Sequence, residues 1–285
     1  MSADADAIEG GDRPPLQTHL EELVESLLYE GYALYPYTPG ATKNSTPTPF
    51  GIVYPPAYAA GNSAAFDHLQ LECLLEGEDD APLEAVVRFL QAGQGETRAT
   101  ERRLVATREG SEFSFDGLEG RVRMDVEPDG EGTARVRVCV HNTTALEDPD
   151  LTRGEALQAS LMSTHVIVTA PGSRFRSPLD TPELRSVNTF PVLATPDDDT
   201  VLAATIMLPD HPQLAPESRG NLFDGTEIEE ALLLHVHALS DGEREAIQDA
   251  DPAVRAMVER AAAATPEEML RLHGRLEMRD PVEPD

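Results

Sequence analysis

Lysine is almost absent from this chain. Lys43 is the single one, beside 21 arginines, and these 22 basic residues face 52 Asp and Glu for a net charge of −30. Arg is delocalised and weakly hydrated, whereas Lys is a flexible point charge. Excess acid with almost no Lys is the pattern of a high-salt cytoplasm, where self-repulsion is screened within a few ångström and a charged surface maintains solubility. The alternative is an acidic protein of an ordinary cytoplasm. In the halophilic setting most carboxylates read as solvation, not chemistry. A surface of this sign argues against nucleic-acid binding, which needs basic patches to release counterions, and against an anionic membrane surface.

Other absences narrow the field further. The longest clean apolar run, Val201 to Leu208, is far too short to span a bilayer, so no membrane insertion is expected. The opening MSADADAIEGGDRPP has neither a basic nor an apolar region, so no signal peptide is visible and a cytoplasmic location is expected. The two cysteines, Cys73 and Cys139, lie in separate strand-like runs, which favours two free thiols over a disulfide. No CxxC or Cys/His spacing provides a structural zinc site. There is no Trp and there are only eight Phe, so a core of this size needs its tyrosines.

All six tyrosines fall between Tyr29 and Tyr58. Lys43 shares that stretch, and from Gly31 to Ala65 there is no acidic residue at all. Tyr supplies large, rigid, amphipathic contact area at low entropy cost. The segment is therefore either a docking surface centred on Tyr35, Tyr37, Lys43, Asn44, Phe50 and Tyr54, or a core element whose hydroxyls bond to backbone.

Periodicity divides the rest. Residues 1–15 read as a disordered acidic tail. Leu16, Leu20, Leu23, Val24, Leu27 and Leu28 share one helical face; Thr18 with Glu21 makes a capping box, and Gly31 is placed to end the helix. The six prolines of the Tyr/Pro segment forbid a helix there and demote any strand to an edge. Period-two alternation then marks strands at 67–76, 85–90, 102–107, 121–126 and 134–140, with EGSEFSFDGLEG and EPDGEGT as turns. Arg and Glu on the outward faces predict an antiparallel sheet with one wet side. A short helix over 154–162 is followed by strands at 165–170, 187–193, 201–208 and 231–239. About nine strands separated by turns predict an α+β chain that is mainly an antiparallel β-sandwich or distorted barrel. Residues 16–240 form its β-rich core domain with the N-terminal helix. Over 241–278 a C-terminal set of short helices (241–249, 252–263 and 266–277) packs on an edge or face of the sheet, before a polar tail.

Few residues carry recognisable chemistry. The stretch from Met207 to Leu234 gathers Asp210, His211, Glu217, Asp224, Glu227, Glu229 and Glu230 within 21 residues. Acid with His can hold a divalent metal or act as a base, but the spacing matches no zincin or EF-hand pattern. His235 and His237 share a strand face and offer half a metal site. His165 follows Ser163-Thr164, yet no GxSxG elbow is present. No GxGxxG or GxxxxGK[ST] occurs, which disfavours dinucleotide and P-loop nucleotide binding. No catalytic residue and no cofactor is assigned.

Two segments together are similar to a known family: LLYEGYALYPYTPGATKN with FGIVYPPAY near the start, and NTFPVL, MLPDHPQLAPESRGNLFDGTEIEEALLLHVHALSD and MLRLHGRL further on. Over most of residues 20–276 the chain resembles an uncharacterised family of accessory proteins encoded beside uptake NiFe hydrogenases, in a haloarchaeal-type acidic version. The resemblance implies a cytoplasmic helper that binds a hydrogenase subunit or maturation factor. The family has no established catalytic residues, so none is carried over. Its members continue past the point where this chain stops, which implies a further C-terminal segment. A metal-dependent enzyme or metal carrier using His211, Glu217, Asp224, His235 and His237 is the alternative.

Overall fold

Two kinds of strand occur in the sequence, and they become two kinds of sheet. RVRMDV and ARVRVCV alternate strictly, whereas EAVVRFLQA, HVIVTA and VLAA are nearly continuous apolar runs. Strict alternation suits a sheet with one wet face; continuous runs suit a sheet covered on both. A computed structural model describes residues 15–34, 51–77, 81–92, 99–130, 132–146 and 151–213, and the single position 259.

The described residues hold ten strands and three helices. Sheet A contains β1 (His68–Glu76), β4 (Ser111–Phe115), β5 (Leu118–Pro128), β6 (Thr133–Asn142) and β8 (Arg174–Phe175), in the order β4-β5-β6-β1-β8. Sheet B contains β2 (Glu84–Ala92), β3 (Ala99–Ala106), β7 (Met162–Thr169), β9 (Phe190–Leu193) and β10 (Thr200–Ala204), in the order β3-β2-β7-β10-β9. Every strand pairing is antiparallel. The inner faces meet in one core, with Leu69, Leu71 and Val138 of sheet A against Val87, Phe89 and Val166 of sheet B. The expected mainly antiparallel β-sandwich is the fold.

Helix α1 (Pro15–Leu34) explains the continuous runs of sheet B. Its Leu20, Leu23, Val24, Leu27 and Leu28 are buried with Val86, Leu90, Ile167 and Leu202, on the face of sheet B opposite the sandwich core. Burying each such aliphatic side chain contributes about 2 kcal/mol before the entropy of ordering is subtracted. Among the described residues no helix covers β5 and β6 in this way, and their outward positions are half-buried or exposed.

The helix differs from expectation at both ends. It begins at Pro15, where proline's fixed φ suits a first helical residue, so Thr18 and Glu21 lie inside it and not at its start. Gly31 is also internal, and the helix ends at Leu34, just before Tyr35-Pro36, because a residue preceding proline is disfavoured in α geometry. Prolines did not exclude helix from the Tyr/Pro segment: α2 (Pro56–Ala60) starts on Pro56 at its first turn. The predicted helix at 154–162 is shorter, α3 (Arg153–Gln158), with a capping box between Thr152 and Glu155; Met162 already belongs to β7. SEFSF, read as turn, is strand β4, and only Asp116 (φ 46°) and Gly117 (φ 86°) make the tight hairpin turn. The sixth sequence strand is longer than 165–170 suggested, and β9 and β10 are shorter than 187–193 and 201–208. The acidic tail, the 231–239 strand and the C-terminal helices lie outside the described residues, apart from position 259.

Cys73 faces the sandwich core and Cys139 the outer face of sheet A, so no disulfide can join them; both are free. Burial pushes the Cys73 thiol far up, which keeps it protonated and unreactive.

Candidate functional site

The acid-free segment rejoins the described residues at Gly51 and is at once stitched into the sandwich. Gly51 O accepts from Thr164 N at 3.0 Å, and Val53 exchanges two backbone bonds with Leu161 at 2.8 and 3.0 Å. Tyr54 N donates to Phe66 O at 2.7 Å. Two asparagine amides finish the seam: Asn188 Nδ2 donates to Ile52 O at 2.8 Å and Asn142 Nδ2 to Val53 O at 3.0 Å. Side chains alternate as in a strand, with Val53 in the sandwich core and Ile52 and Tyr54 in the layer beneath α1.

Tyr54, expected on a docking surface, is only 4 % exposed. Its ring lies 5.0 Å from that of Tyr58, and its hydroxyl accepts from Arg153 Nε at 3.1 Å. Burial raises the phenol's pKa against the opposing pull of Arg153. This tyrosine is therefore a core element with a bonded hydroxyl, and it corrects the expectation for its own position. Tyr35, Tyr37, Lys43, Asn44 and Phe50 lie outside the described residues. In sequence the segment that holds them lies between Leu34, the last residue of α1, and Gly51.

Besides Asp210, His211 is the described member of the acid/His loop. It sits at φ 55° with its backbone N–H on Leu193 O at 2.7 Å, and its Nε2 is 2.8 Å from Asp198 Oδ1. Asp198 also receives Arg174, and Asp210 accepts from Leu193 N and Ser177 Oγ. Arg174 and then His211 hold the Asp198 carboxyl below its ordinary value. Residues 210 and 211 thereby cap the free edge of β9, with an imidazole that is 41 % exposed. No group of three or more His, Cys, Asp or Glu able to hold a metal is found among the described residues. Glu217, Asp224, His235 and His237 lie outside them.

Ser163 and His165 do not form a nucleophile and its base. Ser163 Oγ donates to Leu27 O at 3.4 Å, and His165 Nδ1 is bonded to the backbone O of Ser163 at 2.8 Å. His165 is fully buried opposite Arg88, which bridges Glu21 of α1 and Glu101 of β3 at 3.1 and 2.7 Å. Burial lowers its pKa to about 4, and its Nε2 has no partner. The imidazole is neutral there, a packing group under the helix.

The sequence places Arg and Glu on the outward faces of the sheet A strands but does not show which of them pair. Glu72 is 4 % exposed and accepts from Arg135, Arg137 and the backbone N–H of Arg185. Burial pushes its carboxyl up, but the Arg185 N–H and the two guanidinium groups outweigh that and hold it below its ordinary value. Beside this cluster, Arg121 and Arg123 project from β5 next to the stacked rings of His68 and His141, 5.6 Å apart. The signal was available: RVR places two arginines on one strand face.

The fold defines a helix-covered, ten-stranded β-sandwich without an assembled nucleophile–base pair among the described residues. The chain matches no protein-family model and no curated protein. No helix among the described residues is long and apolar enough to cross a membrane.

Proposed function

We propose that this protein acts by binding another protein, as an accessory factor in NiFe hydrogenase assembly or operation. Its docking element is the part of the acid-free segment between α1 and Gly51, with Tyr35, Tyr37, Lys43, Asn44 and Phe50 as contacts. The observation that carries this reading is the composition and placement of the segment. α1 precedes it and the Gly51–Tyr54 seam follows it, so an acid-free, aromatic stretch with a single lysine joins two packed elements in a chain of net charge −30. Aromatic residues are the usual energetic centres of interfaces. The hydrogenase assignment rests on the sequence resemblance, and a cytoplasmic location goes with it.

Affinity purification of the tagged full chain from its own cells tests the reading. A hydrogenase subunit or maturation factor is expected to co-purify, and Tyr35→Ala with Tyr37→Ala is expected to reduce its recovery at least about tenfold, as loss of an aromatic hot spot does. Equal recovery with both substitutions would remove the segment from the interface. A saturable nickel or zinc site lost on His211→Ala would favour the metal-carrier alternative instead.

A further inference from the structure

Most described arginines on sheet A are matched to acids. Arg135 and Arg137 share Glu72, and Arg176 reaches Glu76 at 2.5 Å. Arg121 and Arg123 form no ion pair, although the chain carries 52 acids. Glu112 stands opposite Arg121 in register and Asp125 follows Arg123 on the same face, yet neither carboxylate reaches these guanidinium groups. Arg121 Nε is shut off from water and bonded to nothing. A desolvated guanidinium N–H without an acceptor is costly, and a bound anion removes that cost.

Two histidines lie on the same outer face of sheet A. On β6, His141 lies directly opposite Arg121, and on β1 His68 lies opposite His141. Burial, and after it Arg121, His68 and Arg123, lowers the His141 pKa, while Asp67 opposes this and is bonded to His68 at 2.8 Å. A groove of about 530 Å³ lies beside the two arginines, lined by Arg108, Arg121 and Arg123 and also by the acids Glu109, Glu112 and Asp125.

We infer that this face of sheet A binds a small dianionic oxyanion of the phosphate-monoester class, held between Arg121 and Arg123 with His141 as a further donor. The oxygen count selects the class. Residues two apart on a strand are separated by about 7 Å, so the two guanidinium forks can converge on one central group. A single fork already occupies both oxygens of a carboxylate; two forks and an imidazole need the three terminal oxygens of a phosphate. Glu109, Glu112 and Asp125 border the groove and oppose an anion; the acids farther off do not, because charges beyond about 8 Å are largely screened at physiological ionic strength.

The test is a titration of the isotopically labelled full chain with inorganic phosphate, read by NMR at the His141 and His68 rings and the Arg121 Nε–H. Saturable shifts confined to these groups are expected. Arg121→Gln and Arg123→Gln should each weaken binding about tenfold or more, the loss of a charge-assisted bond. Arg176→Gln, at the far end of the sheet, should leave it unchanged. Acetate should bind at least about tenfold more weakly than phosphate. If Arg121→Gln fails to fold, exposed Arg123 carries the comparison. Linear, unsaturated shifts, unchanged affinity in Arg123→Gln, or equal affinity for acetate would overturn the inference.

Discussion

His165 shows at residue scale how environment decides a role that sequence leaves open. Beside Ser163 and Thr164 it has the composition of a catalytic pair, but strand pairing turns its ring under α1 and against Arg88. Its folded pKa of about 4 lies below the ordinary 6.5. The unfolded chain therefore binds the proton first as pH falls, so the stability this group supports is complete above the unfolded pKa. It is lost between the two values. Between pH 7 and pH 5 the loss is about 2 kcal/mol from this one residue. Denaturant titrations at the two pH values measure it, and His165→Gln should flatten that part of the pH dependence. An unchanged slope would mean that the ring is hydrated.

At the scale of elements, α1 and sheet B depend on each other. Leu28 is fully buried where the helix meets the sheet. Leu28→Ala is expected to cost about 3 kcal/mol, from lost transfer energy and the cavity left behind, seen as a lower denaturation midpoint. A cost under about 1 kcal/mol would mean that the helix is loosely seated. Strands with strong alternation, such as β5 and β6, were legible because one face is wet. Strand β4 was not, since SEFSF is short, polar at every second position and followed by the turn signal Asp116-Gly117. Its pairing is settled by contacts remote in sequence: the Phe113 and Phe115 rings pack with Phe89 at 5.7 and 6.1 Å. Phe113 also occupies the space a side chain at Gly120 would need, with its ring carbon 2.2 Å from where a Cβ would lie. The ends of α1 were misread for a related reason. Local capping signals at Thr18 and Gly31 were weighed above the two prolines, Pro15 and Pro36, that bracket the helix.

At the scale of the molecule, charge and aromatic content are segregated. The acid excess covers the chain broadly, sheet A gathers arginines among acids, and the Tyr-rich segment carries no acid. The docking role proposed for it rests on composition, which does not reveal that Tyr54 is buried. Tyr54 is drawn inward because the seam at Val53 fixes which way alternate residues point, a consequence of backbone pairing with Leu161 that no local pattern encodes. The charged outward face of sheet A was legible in the RVR repeats of β5 and β6, but which charges meet was not, because Glu72 joins Arg137 only through strand pairing. The proposed hydrogenase role is tested by hydrogen oxidation in cells of its own organism lacking this chain, and in the same cells complemented with it. Oxidation is expected to fall sharply on deletion and to return with the intact chain; ordinary oxidation in a clean deletion strain would rule the role out.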